Sequence, residues 1–265
     1  MKWPEEVGIV RHGESVYNAL KAKKENDPFY QEFKRRYKEI RDWEAPIPPE
    51  LVEMAREVAR RFSLGVSDFH TPMTEVGKAQ AIATGEKLRE VILLPDVIFV
   101  SPFVRTAETL QYMIQGWPEL EGVKTYYEDR IREKSPGLAA LYNDWRVFNI
   151  LHPEQKRYRD LFRELADYWY AYPNGENVHA ARELIRSWVA TLIREFAGKK
   201  VLAISHHLTI LAMRAHLERL SPEPFIQLDK NEKPVNCGVT IYRGDPEQGE
   251  DGRLVLFQYN KKLYD

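Results

Sequence analysis

Val7-Gly8-Ile9-Val10-Arg11-His12-Gly13-Glu14-Ser15 passes from an apolar run straight into a charged turn. The apolar part reads as a buried strand from about Val7 to Val10. Arg11, His12 and Glu14 then stand at its carboxyl end, and Gly13 lets the backbone bend close to a ligand with no Cβ in the way. A helix opening near Ser15 would point free amide groups at a bound anion. Open α/β sheets bind ligands beyond the carboxyl ends of their strands, so this turn is where chemistry is expected.

Outward from it the same strand-then-helix pattern recurs. Asp96 to Val100 reads as a second strand, preceded by a helix from Glu75 to about Val91 with Thr74 as its N-cap. Lys124 to Tyr127 forms a third. Val201 to Ser205 forms a fourth, after a helix from about Val178 to Phe196 that Asn177 caps and Gly198 ends. Val239 to Tyr242 and Leu254 to Tyr259 alternate like edge strands. The pattern predicts an α/β fold of three layers, a mostly parallel central sheet with helices on both faces. A chain of 265 residues suits one domain over 1–265. Two helical insertions, at about 21–70 and 138–172, interrupt the alternation. Their aromatic residues, Phe29 to Trp43 and Trp145 to Tyr172, suit helix packing, and the insertions are expected to cover one end of the sheet and set substrate choice.

Composition narrows the function. With 39 basic against 40 acidic residues, no global positive field points to a nucleic-acid partner. No apolar run is long enough to span a bilayer. The opening Met1-Lys2-Trp3-Pro4-Glu5-Glu6 leaves no room for a signal peptide, so a cytoplasmic location is expected. The single cysteine, Cys237, excludes an intramolecular disulfide and a Cys-cluster metal site.

Beyond the four strands lie Arg11 and His12, Ser101 to Arg105, Arg130 to Glu133, and Ser205-His206-His207. This set suits phosphoryl transfer through a covalent intermediate. Guanidinium groups neutralise peripheral phosphoryl oxygens through forked hydrogen bonds, a role for Arg11 and Arg105. A neutral imidazole oriented through its second nitrogen can attack phosphorus, which makes His12 the nucleophile. His206 can hydrogen-bond a phosphoryl oxygen. Glu133 can protonate the leaving oxygen and later activate water, with Glu128 and Asp129 as nearby competitors. A metal held by His12, His206 and His207 is disfavoured, because two arginines in the same pocket repel a cation. Neither metal nor other cofactor is expected, and His70, His152, His179 and His216 read as surface or packing residues.

These segments resemble the histidine phosphatase superfamily, which includes the cofactor-dependent phosphoglycerate mutases. The resemblance rests on Arg11-His12-Gly13-Glu14, Thr74 to Ala81, Ser101 to Thr109, Arg130 to Glu133, Gly175-Glu176-Asn177 and Ser205-His206 in that order. It implies that His12 is phosphorylated, that Arg11, Arg105 and His206 bind the phosphate, that Glu133 is the acid and base, and that Asn18 is a further phosphate contact. The stretch 138–172 is similar to the long helical cap of some members. His207 departs from the pattern, which usually has glycine there. The segments imply a phosphomonoester hydrolase taking a small phosphorylated substrate and releasing inorganic phosphate. The alternatives are a mutase-like phosphotransferase and a non-catalytic phosphate-binding protein. Arg132-Glu133-Lys134-Ser135 does not match the mutase motif Glu-Arg-His-Tyr-Gly, which favours hydrolysis.

Overall fold

The computed structural model describes residues 2–265; Met1 lies outside the described residues. The chain runs through β1 (Glu6–Arg11), α1 (Val16–Glu25), α2 (Pro28–Glu39), α3 (Pro49–Arg61), α4 (Glu75–Leu88), β2 (Val97–Val100), α5 (Val104–Gly116) and β3 (Thr125–Tyr127). There follow α6 (Trp145–Leu151), α7 (Pro153–Asp160), α8 (Ala166–Trp169), α9 (Val178–Glu195), β4 (Lys200–Ser205), α10 (His207–Leu217), α11 (Pro222–Asn231), β5 (Val239–Asp245) and β6 (Arg253–Lys261).

Six strands form one sheet in the order β3-β2-β4-β1-β5-β6. The pairs β3·β2, β2·β4 and β4·β1 are parallel, whereas β5 and β6 join antiparallel. The register decides what meets at the carboxyl end. Arg11 lies opposite Ser205, and Val100 opposite Ile204, so His12, Ser101 and His206 leave three neighbouring strands side by side. One expectation is corrected here. β5 is not an edge strand: it lies between β1 and β6, and its first four residues are buried, so an antiparallel strand reading as alternating is covered on both faces. Only β6 and the short, exposed β3 are edges.

Successive strand residues point to opposite faces, and the two cores follow that period. Val7, Ile9, Phe99, Val201 and Ala203 pack with Ile185, Trp188 and Leu192 of α9 and Ile210 and Met213 of α10. Val10, Ile98, Val100, Leu202 and Ile204 pack with Ala81 and Leu88 of α4 and Leu110 and Met113 of α5. Three layers result. Thr74 and Asn177 cap α4 and α9 as expected, and Gly198, at φ +70°, stands in the left-handed region beyond the end of α9.

The two helical stretches make a third core of their own. Tyr30, Phe33 and Tyr37 of α2, Leu51, Ala55 and Val58 of α3, Phe62, and Val147 and Ile150 of α6 are buried together. These aromatics are therefore spent on packing rather than displayed to a ligand. A buried ion pair joins the layer to the carboxyl-terminal turn of α1: Lys24 Nζ lies 2.9 Å from Asp144 Oδ2, with both side chains almost wholly buried. Asp144 also accepts from Tyr30 Oη and from the amide of Arg146. Burial opposes its charge, yet Lys24, Tyr30 and that amide outweigh burial and hold the carboxyl below its usual range.

Removing one member of a buried pair strands the other, so Asp144→Ala should cost about 3–5 kcal/mol of unfolding free energy in urea titration. The Asp144 pKa is depressed in the fold. Its contribution should therefore be full above the ordinary carboxylate range and fade as pH falls through the lower folded value. A loss below about 1 kcal/mol, the size of an exposed pair, would refute the anchoring role.

Candidate active site

His12 leaves β1 with its amide donating to Ser205 O at 2.9 Å, and its ring is buried. Nδ1 lies 2.8 Å from Gly13 O. A carbonyl can only accept, so Nδ1 carries the proton and the Nε2 lone pair is left bare in the neutral ring. Burial first, then the charges of Arg11 and Arg105, push the His12 pKa well below the ordinary imidazole value, so the ring is neutral at neutral pH. Tautomer and protonation state thus both favour nucleophilic Nε2.

The turn is held by a close approach of two glycines. A Cβ on Gly13 would come within 2.6 Å of Gly77 O, and one on Gly77 within 2.1 Å of Glu14 O. The first turn of α4 therefore lies directly against the residues after His12. One expectation is narrowed at this point: most of the turn's amides are not free for an anion. Gly13 N donates to Thr109 Oγ1, Glu14 N to Gln80 Oε1, Ser15 N to Asn18 Oδ1, Val16 N to Pro72 O and Asn18 N to Ser15 Oγ. Protein acceptors take five of these donors and leave the Tyr17 amide without a protein acceptor among the described residues, so recognition of an anion falls mainly to side chains.

Those side chains converge as the strand register dictates. The His12 and His206 ring centroids are 5.3 Å apart. Ser101 Oγ lies 2.7 Å from His206 Nε2, and His206 Nδ1 is buried without a hydrogen-bond partner. With Ser101 donating, Nδ1 is an N–H donor. Burial, then Arg105, also lowers the His206 pKa well below its ordinary value. Arg11 donates through Nη1 to Pro234 O at 2.6 Å, while its Nε is buried without a partner. Arg105, also buried, donates through Nη1 to Asp68 Oδ1 at 2.9 Å and Asp68 O at 2.6 Å. Burial lowers the Arg11 pKa, and the facing charge of Glu133 is the strongest opposing influence.

The remaining expected residues are less plainly placed. Glu133 follows a short 3-10 turn (Asp129–Ile131) and is half-buried, with Oε1 accepting from the amide of Lys134. Glu128 turns away from this group, paired with Arg130 at 2.6 Å. Asn18 completes the capping box of α1: its Oδ1 also accepts from Ser15 Oγ and Asn236 Nδ2, and only its own amide nitrogen is uncommitted. His207 begins α10, with Nε2 2.8 Å from Asp229 Oδ1. Among the described residues no group of three or more His, Cys, Asp or Glu is arranged to hold a metal ion. Open cavities of about 340 Å³, near Trp3 and Arg253, and about 430 Å³, between α2 and α3, lie away from these residues.

Residues that carry the geometry were missed in the sequence. Thr109 and Gln80 bind the turn's amides, Ser101 sets the His206 ring, and Asp68 holds Arg105. Ser101 left a signal in its place directly after a strand, and Gln80 and Thr109 lay inside segments that carried the resemblance, while Asp68 left none.

Comparison with known proteins identifies the family. The family model described as histidine phosphatase superfamily (branch 1) matches residues 65–254, a span holding Arg105, Glu133 and His206 but beginning after His12. The phosphoglycerate mutase-like protein AT74H of Arabidopsis thaliana is 27% identical over 138 residues, 48% of this chain. The match spans only 46% of that relative's length. A 2,3-bisphosphoglycerate-dependent phosphoglycerate mutase of Bifidobacterium longum is 26% identical over 222 residues, 72% of this chain and 89% of that one. A mycobacterial glucosyl-3-phosphoglycerate phosphatase solved with inorganic phosphate shares the fold at a TM-score of 0.61, with 17% identity and 98% of each chain covered. With well over half of the chain matched by the family model, the protein belongs to the histidine phosphatase superfamily.

Proposed function

We propose that the protein is a metal-independent phosphomonoester hydrolase working through a phosphohistidine on His12. The observation that carries this reading is a pair of buried nitrogens without partners, Arg11 Nε and His206 Nδ1, in the residues grouped with a His12 whose Nε2 lone pair is free. Unpaired buried donors are costly, and a bound anion with several acceptor oxygens removes that cost. Two guanidinium groups and two neutral imidazoles form a site that would accept a phosphoryl group.

In the first step His12 Nε2 attacks phosphorus, the ester P–O bond breaks, and Glu133 in its acid form gives its proton to the leaving oxygen. In the second, the Glu133 carboxylate takes a proton from water, the water oxygen bonds to phosphorus, and the P–N bond breaks to release inorganic phosphate and neutral His12. Arg11 and Arg105 hold the peripheral oxygens, His206 donates to one through Nδ1–H, and the uncommitted amide of Asn18 adds a contact. Mutase chemistry differs only in the acceptor of the second step, an alcohol in place of water. The sequence after Ile131 lacks the motif expected of a mutase, which favours water.

Brief incubation with a phosphate ester, followed by denaturation without acid, should trap an acid-labile, alkali-stable phosphohistidine at His12. It should form equally in EDTA, because arginines rather than a cation neutralise the oxygens. A label mapping elsewhere, full activity of His12→Ala, or a chelator-induced loss restored by one divalent ion would overturn the assignment. Isomerisation of 3-phosphoglycerate faster than phosphate release from the best ester would replace hydrolysis by mutase chemistry.

An alkoxide needs a proton to leave, whereas a nitrophenolate departs nearly unaided. Glu133→Gln should therefore slow phosphorylation by alkyl esters on the order of a hundred- to ten-thousand-fold and spare para-nitrophenyl phosphate. On the aryl ester a burst of nitrophenol followed by slow turnover should appear, because the water-activating base is also gone. Equal burst-phase losses on both esters would indicate damaged phosphate binding, and wild-type behaviour would transfer the role to another carboxylate.

A further inference from the structure

Arg105 is gripped from one side by a residue outside the set of strand ends. Its Nη1 donates to both Oδ1 (2.9 Å) and the main-chain O (2.6 Å) of Asp68, and its Nη2 lies 3.4 Å from Asp68 Oδ2. A guanidinium has two forked edges, Nη1/Nη2 and Nε/Nη2. Asp68 occupies the first. On the second, Nε makes no hydrogen bond to any described residue, and the group lies over the Phe103 ring with its central carbon 4.8 Å from the centroid.

We infer that Asp68 is a positioning residue, which fixes the rotation of Arg105 so that its Nε/Nη2 edge faces the phosphoryl oxygens. This rests on the reading of Arg105 as a phosphate ligand. Were Asp68 merely a stand-in for phosphate, it would have to leave when substrate arrives, and its backbone bond cannot leave. That carbonyl is fixed within a turn braced at several points: Thr71 N donates to Asp68 O, His70 N and Thr71 Oγ1 to Ser67 O, and Val104 N to Phe69 O. Phe69 also packs on Phe103 at 5.2 Å between centroids. Nη1 is therefore held whether or not phosphate is bound, and only the other edge is available. Asp68 follows α3 on the return to the sheet, so the helical layer, which carries no proposed catalytic residue, acts on the phosphate site through it.

The test is a double-mutant cycle on Asp68 and Arg105, read by calorimetric binding of inorganic phosphate and by kcat/KM on para-nitrophenyl phosphate, with folding checked by thermal melts. Misplacing a binding group by about 1 Å can cost on the order of a hundredfold. Asp68→Ala should weaken phosphate binding and lower kcat/KM by roughly ten- to a hundredfold, and Asp68→Asn, which keeps an acceptor at Oδ1, should recover most of the loss. In an Arg105→Lys background, where no fork remains to be oriented, Asp68→Ala should have little further effect. Should Asp68→Ala fail to fold, Asp68→Ser, too short to reach Nη1, replaces it. Unchanged or tighter phosphate binding in Asp68→Ala, with Arg105→Lys impaired, overturns the positioning role and leaves the phosphatase reading standing. An undiminished effect of Asp68→Ala in the Arg105→Lys background overturns it as well, since Asp68 would not then act through Arg105. Wild-type phosphate affinity in Arg105→Lys overturns both.

Discussion

The bond from His12 Nδ1–H to the carbonyl of Gly13 is local, yet the rest of the site depends on it. It fixes one tautomer and leaves one lone pair, and it does so only while the peptide after His12 keeps its orientation. That orientation is secured from outside. Gly77 meets Glu14 where no side chain could fit, Thr109 and Gln80 take the next two amides, and Ser205 O holds His12 N. Helices α4 and α5 therefore have a second task besides covering the sheet: they hold a turn of four residues so that one imidazole has one orientation.

Securing the turn this way commits the backbone donors that often bind phosphate. Charge recognition then rests on Arg11, Arg105 and His206, all placed by the parallel register of β1, β4 and β2. Burial first, and then the charges of Arg105 and Arg11, depress the protonation of both histidines, and the two guanidinium groups also repel each other. That depression is useful on the proposed mechanism, because a protonated His12 has no lone pair with which to attack. The same field that would bind an anionic substrate thus keeps its nucleophile free, with no separate base needed to deprotonate it.

The sheet was legible from the sequence because strand apolarity and helix capping are local signals. Val7 to Val10, Val201 to Ser205, Thr74 and Asn177 each declare themselves within a few residues. The interior position of β5 was not, since alternation in a short segment does not reveal which neighbours it will pair with. Arg11, His12, Arg105, Glu133 and His206 stood out for their chemistry at strand ends. Asp68, Thr109 and Gln80 did not, because they act through contacts 37, 96 and 66 residues away in sequence, and an Asp in a polar loop looks the same whether or not it grips an arginine. The free amides of the turn were overestimated for the same reason: the local geometry was read correctly, but most of its acceptors come from elsewhere in the chain.

Long-range contacts also change what the helical layer can be asked to do. Its aromatics fill their own core with α2, α3 and α6, and the Lys24–Asp144 pair fastens that core to α1, whose first turn belongs to the site. The layer is thus tied to the far end of α1 on one side and reaches Arg105 through Asp68 on the other. Half-buried polar groups near the proposed cradle include Tyr17 on α1 and the His207–Asp229 pair. His207 replaces the usual glycine with a side chain whose Nε2 is tied to α11, so α11 contributes to the wall beside the phosphate site. On the proposed function this divides the labour: the sheet ends would bind what every phosphate ester has in common, and the helices that hold those ends in place would shape the space left for the part that differs.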